Sequence, residues 1–420
     1  MSDGAEGLPY LSADLPGTGG RIKTGPEDFV VDEIPLYEPC GEGTHLYLFI
    51  EKQGISTFEA LQRLAKSLGR PSRAFGVAGL KDAAATTRQY ISIEHVGIDD
   101  AKNLDIEGIQ VLEAAYHRNK LKRGHLKGNR FEVVIREPEA DAQPKARAVL
   151  ERLARRGVPN YFGPQRFGIL NNTHRLGRAL LQGEWREFAD VLVATPRGQI
   201  EPSYDAVISH YRAARFEQAY DALKHSFRYE KRVLGVLHKT GGDFKRAALS
   251  LDDRILELYF SAFQSDLFNR LLAWRIDGID RLLEGDAAFI HRNGACFLVT
   301  DVAAEAPRAA RFEISPSGPL FGHKLLQTRG IPGQMEDEVL VSAGLSLGDF
   351  QKKIRRLSLR GARRPLRVTM ESVDLTRDRD GSLRIAFVLP PGCYATVVLR
   401  EIVKSGRSCD DAREKSRLDR

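Results

Sequence analysis

The chain has 420 residues, 42% hydrophobic and 28% charged, with a formal net charge of +7. No segment approaches the roughly 18 consecutive apolar residues of a membrane span, and Met1 to Gly20 lacks the apolar core of a secretory signal. Cys40, Cys296, Cys393 and Cys409 are far apart and form no CxxC pair, which argues against a structural zinc site or a disulfide framework and fits a reducing cytoplasm.

Residues 1–20 are expected to be frayed. Phe29-Val30-Val31 opens a strand, and Thr44 to Lys52 (THLYLFIEK) reads as another. A helix follows. Ser56 and Glu59 make a capping box, Phe58, Leu61, Leu64, Ala65 and Leu68 share one face, and Gly69 stops it. Gly76 to Asp82 (GVAGLKD) reads as a loop. Arg88 to Glu94 alternates as a strand, with Gln89, Ile91 and Ile93 on one face, and Phe131 to Arg136 is a further strand. Val149, Leu150 and Leu153 mark a helix running to Gly157.

Gly157 to Gly168 (GVPNYFGPQRFG) breaks the pattern with three glycines, two prolines and three aromatics, and reads as a packed, specified loop. The chain is then helix-rich. Ile255 to Trp274 carries a stripe of Ile255, Leu258, Tyr259, Ala262, Phe263, Leu267, Leu271 and Trp274 at helical spacing. Phe297 to Val302 is a short strand, and Ser315 to Gly322 (SPSGPLFG) a turn-rich loop. Leu383 to Leu389 alternates as a strand ended by Pro390-Pro391-Gly392, and an apolar pattern resumes from Tyr394 to Ile402. Strand-rich ends around a helix-rich middle suggest one α/β domain built from both ends with a second domain inserted.

The charge is unevenly placed. His117 to Arg130 holds six Lys/Arg and no acid, and Gln351 to Arg367 holds eight and no acid. The rest of the chain is net negative. One such run is ordinarily a solvated face. Two together favour a polyanion-binding surface.

Gly79-Leu80-Lys81-Asp82 is the first motif that carries chemistry. An Asp on a glycine-containing loop can act as nucleophile or base without a cofactor, and Lys81 would lower its pKa where the side chains converge. From four residues alone, a turn-capping Asp is the more ordinary reading. Asn129 and Phe131 alternate onto one face where the first basic run enters a strand. An amide and a ring beside cations suit an unstacked base, and a turn Asn with a core Phe is the equal alternative. Phe29 and Tyr394 are further aromatics near strand ends. No HExxH, GxGxxG after a strand, Walker loop or GxSxG occurs, so no metal or nucleotide cofactor is expected.

Taken in order, these segments resemble TruD-type tRNA pseudouridine synthases. The resemblance rests on Lys23 to Phe29 (KTGPEDF), Gly41 to His45 (GEGTH), Ala78 to Asp82 (AGLKD), Thr87-Arg88-Gln89, Lys127 to Phe131 (KGNRF), Val158 to Gly168 (VPNYFGPQRFG) and Leu389 to Thr396 (LPPGCYAT). It is tight at both ends and in the NYFGPQRFG segment, and loose from about Ile169 to Gly361.

The resemblance implies an α/β (α+β) fold: a pseudouridine-synthase catalytic domain with a mixed, mainly antiparallel sheet, interrupted by an inserted α/β TRUD domain. The implied division is 1–156 and 366–420 for the catalytic domain and 157–365 for the insert, with RNA in the cleft between them. It implies conversion of a uridine, tRNA uridine-13, to pseudouridine with no cofactor and no metal. The family's catalytic aspartate corresponds to Asp82, and its substrate-orienting Asn to Asn129. Its substrate-contacting aromatics correspond to Phe29, Phe131 and Tyr394. Lys120, Lys122, Arg123, Lys127, Arg355, Arg356, Arg363 and Arg364 are the candidate contacts to the tRNA backbone. The family has polar or basic residues after the Asp where this chain has Ala83-Ala84, and many relatives carry Phe in place of Tyr394. The expected setting is cytoplasmic, with no membrane partner. The sequence leaves the oligomeric state open, a monomer being expected. A non-catalytic RNA binder or a protein scaffold is the alternative, and the intact set of Asp82, Asn129 and Phe29 speaks against the first.

Overall fold

A computed structural model describes residues 7–81, 83, 85–102, 104–198, 201–351, 354–355, 357 and 359–404. The chain divides into two compact units. One holds Ser12–Val158 and the described residues from Val368 onward; the other holds Pro159–Arg367 and the described residues up to Leu11.

In the first unit, eight strands among the described residues form one mixed sheet. They are β1 (Phe29–Pro35), β2 (His45–Gln53), β3 (Phe75–Val77), β4 (Thr86–Glu94), β5 (Ile109–His117), β6 (Leu126–Ile135), and the late strands Glu371–Arg377 and Leu383–Leu389. β1 runs parallel to β4 and antiparallel to β6, and β6 runs antiparallel to Leu383–Leu389. Strands from the two ends of the sequence therefore lie side by side. β3 runs into the first two residues of GVAGLKD, Gly76 and Val77, expected as loop, because it pairs with Ile91 to Ile93 of β4. β5 and Glu371–Arg377 are strands beyond those expected from the sequence. They are the two edges of the sheet. Edge strands keep polar residues and lose the clean alternation of buried ones.

Helix α1 (Thr57–Ser67) is capped by Ser56, whose Oγ accepts from the Glu59 N–H at 3.1 Å. The Glu59 carboxylate turns to Arg63 at 2.7 Å instead of closing the box. Ala60 and Leu64 pack on Leu46, Leu48, Ile50, Ile91 and Ile93. Phe58, expected inward, is 66% exposed, because the inward line runs through Thr57, Ala60 and Leu64. Helix α2 (Ile98–Lys102) precedes β5, and α3 (Ala142–Arg156) stops at Gly157, whose φ of 92° suits glycine. The apolar pattern after Pro391 is a helix, Ala395–Val403.

The N-terminal stretch is not frayed where it is described. Ser12 donates its N–H to Glu401 Oε2 at 3.0 Å, and the Thr18 N–H donates to the Ile402 carbonyl at 2.9 Å. The Glu401 carboxylate and the Ser12 hydroxyl are buried, so these hydrogen bonds outweigh chain-end entropy here. Leu8 and Leu11 are buried as well, and the Tyr161 hydroxyl donates to the Pro9 carbonyl at 3.5 Å. These contacts group the described residues up to Leu11 with the unit of Pro159–Arg367 rather than with the sheet-bearing one.

The inserted unit is built around helix Asp253–Trp274. Its stripe is wider than the spacing suggested. Leu256, Phe260, Phe268 and Leu272 are buried too, while Leu258 and Trp274 are exposed. A helix covered on several sides buries polar residues, and Asp266 is paired with Arg270 at 2.8 Å. Gly177 lets the helix Thr173–Gln182 approach closely, since a Cβ there would lie 2.1 Å from the Tyr259 carbonyl oxygen. SPSGPL, read as loop, is a buried strand, Ile314–Leu320. Its partners are staggered: Ala288 to Ile290 face its first half and Ala362–Pro365 its second. Each half has one paired edge, which tolerates two prolines. The NYFGPQRFG segment is pinned within this unit. Asn160 donates to the Pro365 carbonyl at 2.9 Å, and Phe162 exchanges two hydrogen bonds with the Asn269 amide.

Candidate active site

The sheet places Glu33 of β1 opposite Asn129 of β6, and Asn129 opposite Leu389. Residues directly opposite share a face. Val31 is likewise opposite Phe131, which is opposite Phe387. One face therefore carries Phe29, Phe131 and Phe387, followed by Glu33 and Asn129. The Phe29 and Phe131 rings meet edge to face at 6.2 Å, and Phe131 lies 5.5 Å from Phe387. Both Phe29 and Phe131 are buried, so packing is their first role. Lys23 lies over the Phe29 ring at 4.4 Å.

The loop from Ala78 to Lys81 reaches this face. Lys81 Nζ forms an ion pair with Glu33 Oε2 at 2.9 Å, the two side chains being 6% and 1% exposed. Lys81 Nζ also donates to Asn129 Oδ1 at 2.7 Å. Burial pushes the Glu33 carboxyl above its ordinary value, against the pull of Lys81 and of the Tyr90 N–H. The Lys81 backbone is held as firmly. Its N–H donates to Thr57 Oγ1 at 2.8 Å, and its carbonyl accepts from buried Lys52 Nζ at 3.5 Å. The Thr57 hydroxyl donates to Gln89 Oε1 at 2.8 Å. Gln89 Nε2 is buried without a hydrogen-bond partner among the described residues.

Asp82 follows Lys81 directly and lies outside the described residues, as does Arg356. Tyr394 is half-buried and immediately precedes helix Ala395–Val403. The segment Pro390 to Tyr394 leaves the sheet at Leu389, opposite Asn129. The structure thus gathers Lys81 and Asn129, and draws Phe131 and Phe29 into the same face.

Glu33, Lys52, Thr57 and Gln89 were missed as part of this cluster. Their signal was present in part. Lys52 continues the inward series Leu46, Leu48 and Ile50, and Glu33 continues Phe29 and Val31. A charge at an inward strand position is rarely left unpaired.

The first basic run is the connection from β5 into β6. It is anchored by neutral contacts. His117 packs between Tyr37 and Tyr47, the Leu121 N–H donates to Ser92 Oγ at 3.0 Å, and the Gly124 N–H donates to the Ala78 carbonyl at 2.9 Å. Lys122, Arg123 and Lys127 point outward and have no ion-pair partner among the described residues. Lys120 differs. It bonds the Arg73 carbonyl at 2.6 Å and pairs with Glu94 at 3.3 Å.

In the second basic run, expected to meet a polyanion, three of the described arginines are engaged within the inserted unit. The Arg363 side chain is 3% exposed and pairs with Glu336 through both terminal guanidinium nitrogens. Arg364 bonds Asn160 and lies over the Phe162 ring at 4.2 Å. Arg355 donates to the Leu249 and Leu251 carbonyls and pairs with Asp253 at 3.2 Å. Guanidinium groups serve here as multi-donor ties of the inserted unit.

Among the described residues, no group of three or more His, Cys, Asp or Glu side chains could hold a metal ion, and no helix is long and apolar enough to cross a membrane. The family model of tRNA pseudouridine synthase D (TruD) matches residues 6–402. The chain belongs to the TruD family of pseudouridine synthases, which are isomerases. It is 49% identical over 395 residues to tRNA pseudouridine synthase D of Geobacter sulfurreducens, covering 94% of this chain and 96% of that protein. It is 45% identical to the same enzyme of Syntrophotalea carbinolica, covering 94% and 99%. A crystal structure of a Methanosarcina mazei protein assigned as a TruD superposes with a TM-score of 0.79 at 27% identity, covering 94% of this chain and 96% of that one. The mixed α/β architecture is the fold of that structure.

Proposed function

We propose that this TruD-family isomerase acts on tRNA, at uridine-13, with Asp82 as the carboxylate that works on the sugar and with no cofactor. The N1–C1′ bond of the uridine breaks, the uracil turns while held, and C5 bonds to C1′. C5 gives up its proton and N1 gains one, so the product is an isomer and no redox partner is consumed. The observation that carries the reading is the Lys81–Asn129 hydrogen bond of 2.7 Å, which joins the loop entering Asp82 to the strand carrying the base-orienting amide. Asn129 and Tyr394 hold the uracil, and Phe29 and Phe131 wall the pocket.

The backbone contacts are narrowed to Lys122, Arg123 and Lys127, beside the loop that enters Asp82. Lys120, Arg355, Arg363 and Arg364 are set aside because carbonyls, carboxylates and a ring already occupy them. Arg356 stays a candidate on its sequence position alone. The reading takes the protein as a monomer, and a tRNA substrate fits work in the cytoplasm. Base extrusion costs a few kcal/mol of unstacking, which phosphate contacts offset.

The test is single-turnover conversion of unmodified tRNA, with the product position mapped. The wild-type chain forms pseudouridine at position 13, and Asp82→Asn forms none while binding tRNA with similar affinity. Turnover by Asp82→Asn overturns the role of Asp82, and product elsewhere overturns the position.

A further inference from the structure

The buried Glu33–Lys81 ion pair adjoins the proposed reaction centre, yet no step above uses it. A buried pair adds little stability by itself, because desolvation offsets the attraction. Its geometry has a directional consequence. An ammonium has three donors and no acceptor. Lys81 therefore meets Asn129 only through the amide oxygen. The amide nitrogen, on the other arm of the same planar group, is turned away with both of its N–H donors. Asn129 is only half-buried, so that arm has room to meet a ligand.

The ammonium is itself fixed from several sides. Glu33 Oε2 holds it at 2.9 Å, and Glu33 Oε1 accepts from the Tyr90 N–H at 3.4 Å. Glu33 and Asn129 start from opposed positions on adjacent strands. Thr57 and Lys52 hold the Lys81 backbone. Neither end of the Glu33–Lys81–Asn129 series can turn independently of the sheet.

We propose that Glu33 and Lys81 are positioning residues whose ion pair fixes the Asn129 amide as a hydrogen-bond donor toward the substrate. The group it meets is an acceptor oxygen, a uracil carbonyl or a ribose oxygen. The inference rests on the pseudouridine synthase reading of this site.

The test compares single-turnover rate and tRNA affinity for the full chain and three variants. Glu33→Leu/Lys81→Met removes both charges and keeps apolar volume, so it folds. Its rate falls about 100-fold, the cost of a misaligned group, while its Kd for tRNA is unchanged. Asn129→Asp keeps an oxygen for Lys81 but loses the N–H donors, and falls similarly. The triple variant is no slower than Asn129→Asp alone, as expected for residues that act through one another. A double variant with the wild-type rate, a loss carried by Kd, or additive losses overturns the inference. A wild-type chain that forms no pseudouridine overturns the enzymatic reading as well, which separates the two failures.

Discussion

The backbone N–H of Gly124 donates to the carbonyl oxygen of Ala78 at 2.9 Å. This bond ties the basic connection between β5 and β6 to the loop that ends at Lys81. Lys122, Arg123 and Lys127, without an ion-pair partner among the described residues, are thus tied to the proposed reaction loop by backbone.

Neutralising Lys122, Arg123 and Lys127 to Gln should weaken tRNA binding and lower the slope of log affinity against log salt by about 2 to 3. Filter binding across a salt series measures it. An unchanged slope would return these residues to a solvated face.

Arg363→Ala should act on folding instead. It leaves the Glu336 carboxylate buried without its partner, and burial already raises that carboxyl above its ordinary value. The expected loss is about 3–5 kcal/mol in urea unfolding, with the salt slope of tRNA binding unchanged in the folded fraction. A drop in slope with intact stability would restore Arg363 as a phosphate contact.

Gly128→Ala tests how closely the strand bearing Asn129 approaches its neighbour. A Cβ there would lie 2.6 Å from the Leu389 carbonyl oxygen, which is backbone and cannot swing aside. We expect a loss of about 1–3 kcal/mol in thermal unfolding, together with a reduced rate, because Leu389 is paired with Asn129. Full stability and rate would mean the two strands can separate freely.

The raised Glu33 carboxyl gives a pH dependence of stability. Its folded value lies above the ordinary 4.5, with burial as the main cause. On raising the pH, the unfolded chain releases this proton first and the folded chain only higher. The contribution is therefore fully present below about 4.5 and is lost as the pH climbs through the folded value. Glu33→Gln has no such proton. The stability of wild type relative to Glu33→Gln should fall over that window in urea titrations. A relative gain would mean that Lys81 outweighs burial.

Sequence alone determined the elements whose signal is local. The Ser56 cap, the glycine that ends α3 and the alternation of Phe131, Val133 and Ile135 each express a rule spanning a few residues. The order of motifs likewise determined the family. Tertiary structure decided what long-range pairing controls. SPSGPL became a buried strand because two staggered neighbours cover it. Ser12 became ordered because Glu401 lies beside it, 389 residues away in sequence. The opening charge of +7 was the least informative in the same sense. Lys122, Arg123 and Lys127 stay in water while Arg363 and Arg364 are consumed inside, since counting charges says nothing about which ones meet a carboxylate, a carbonyl or a ring. Glu33 was legible only as a charge on an apolar face. Its partner Lys81 lies on another element, and only the register of β1 against β6 and the path of the loop bring the two within 2.9 Å.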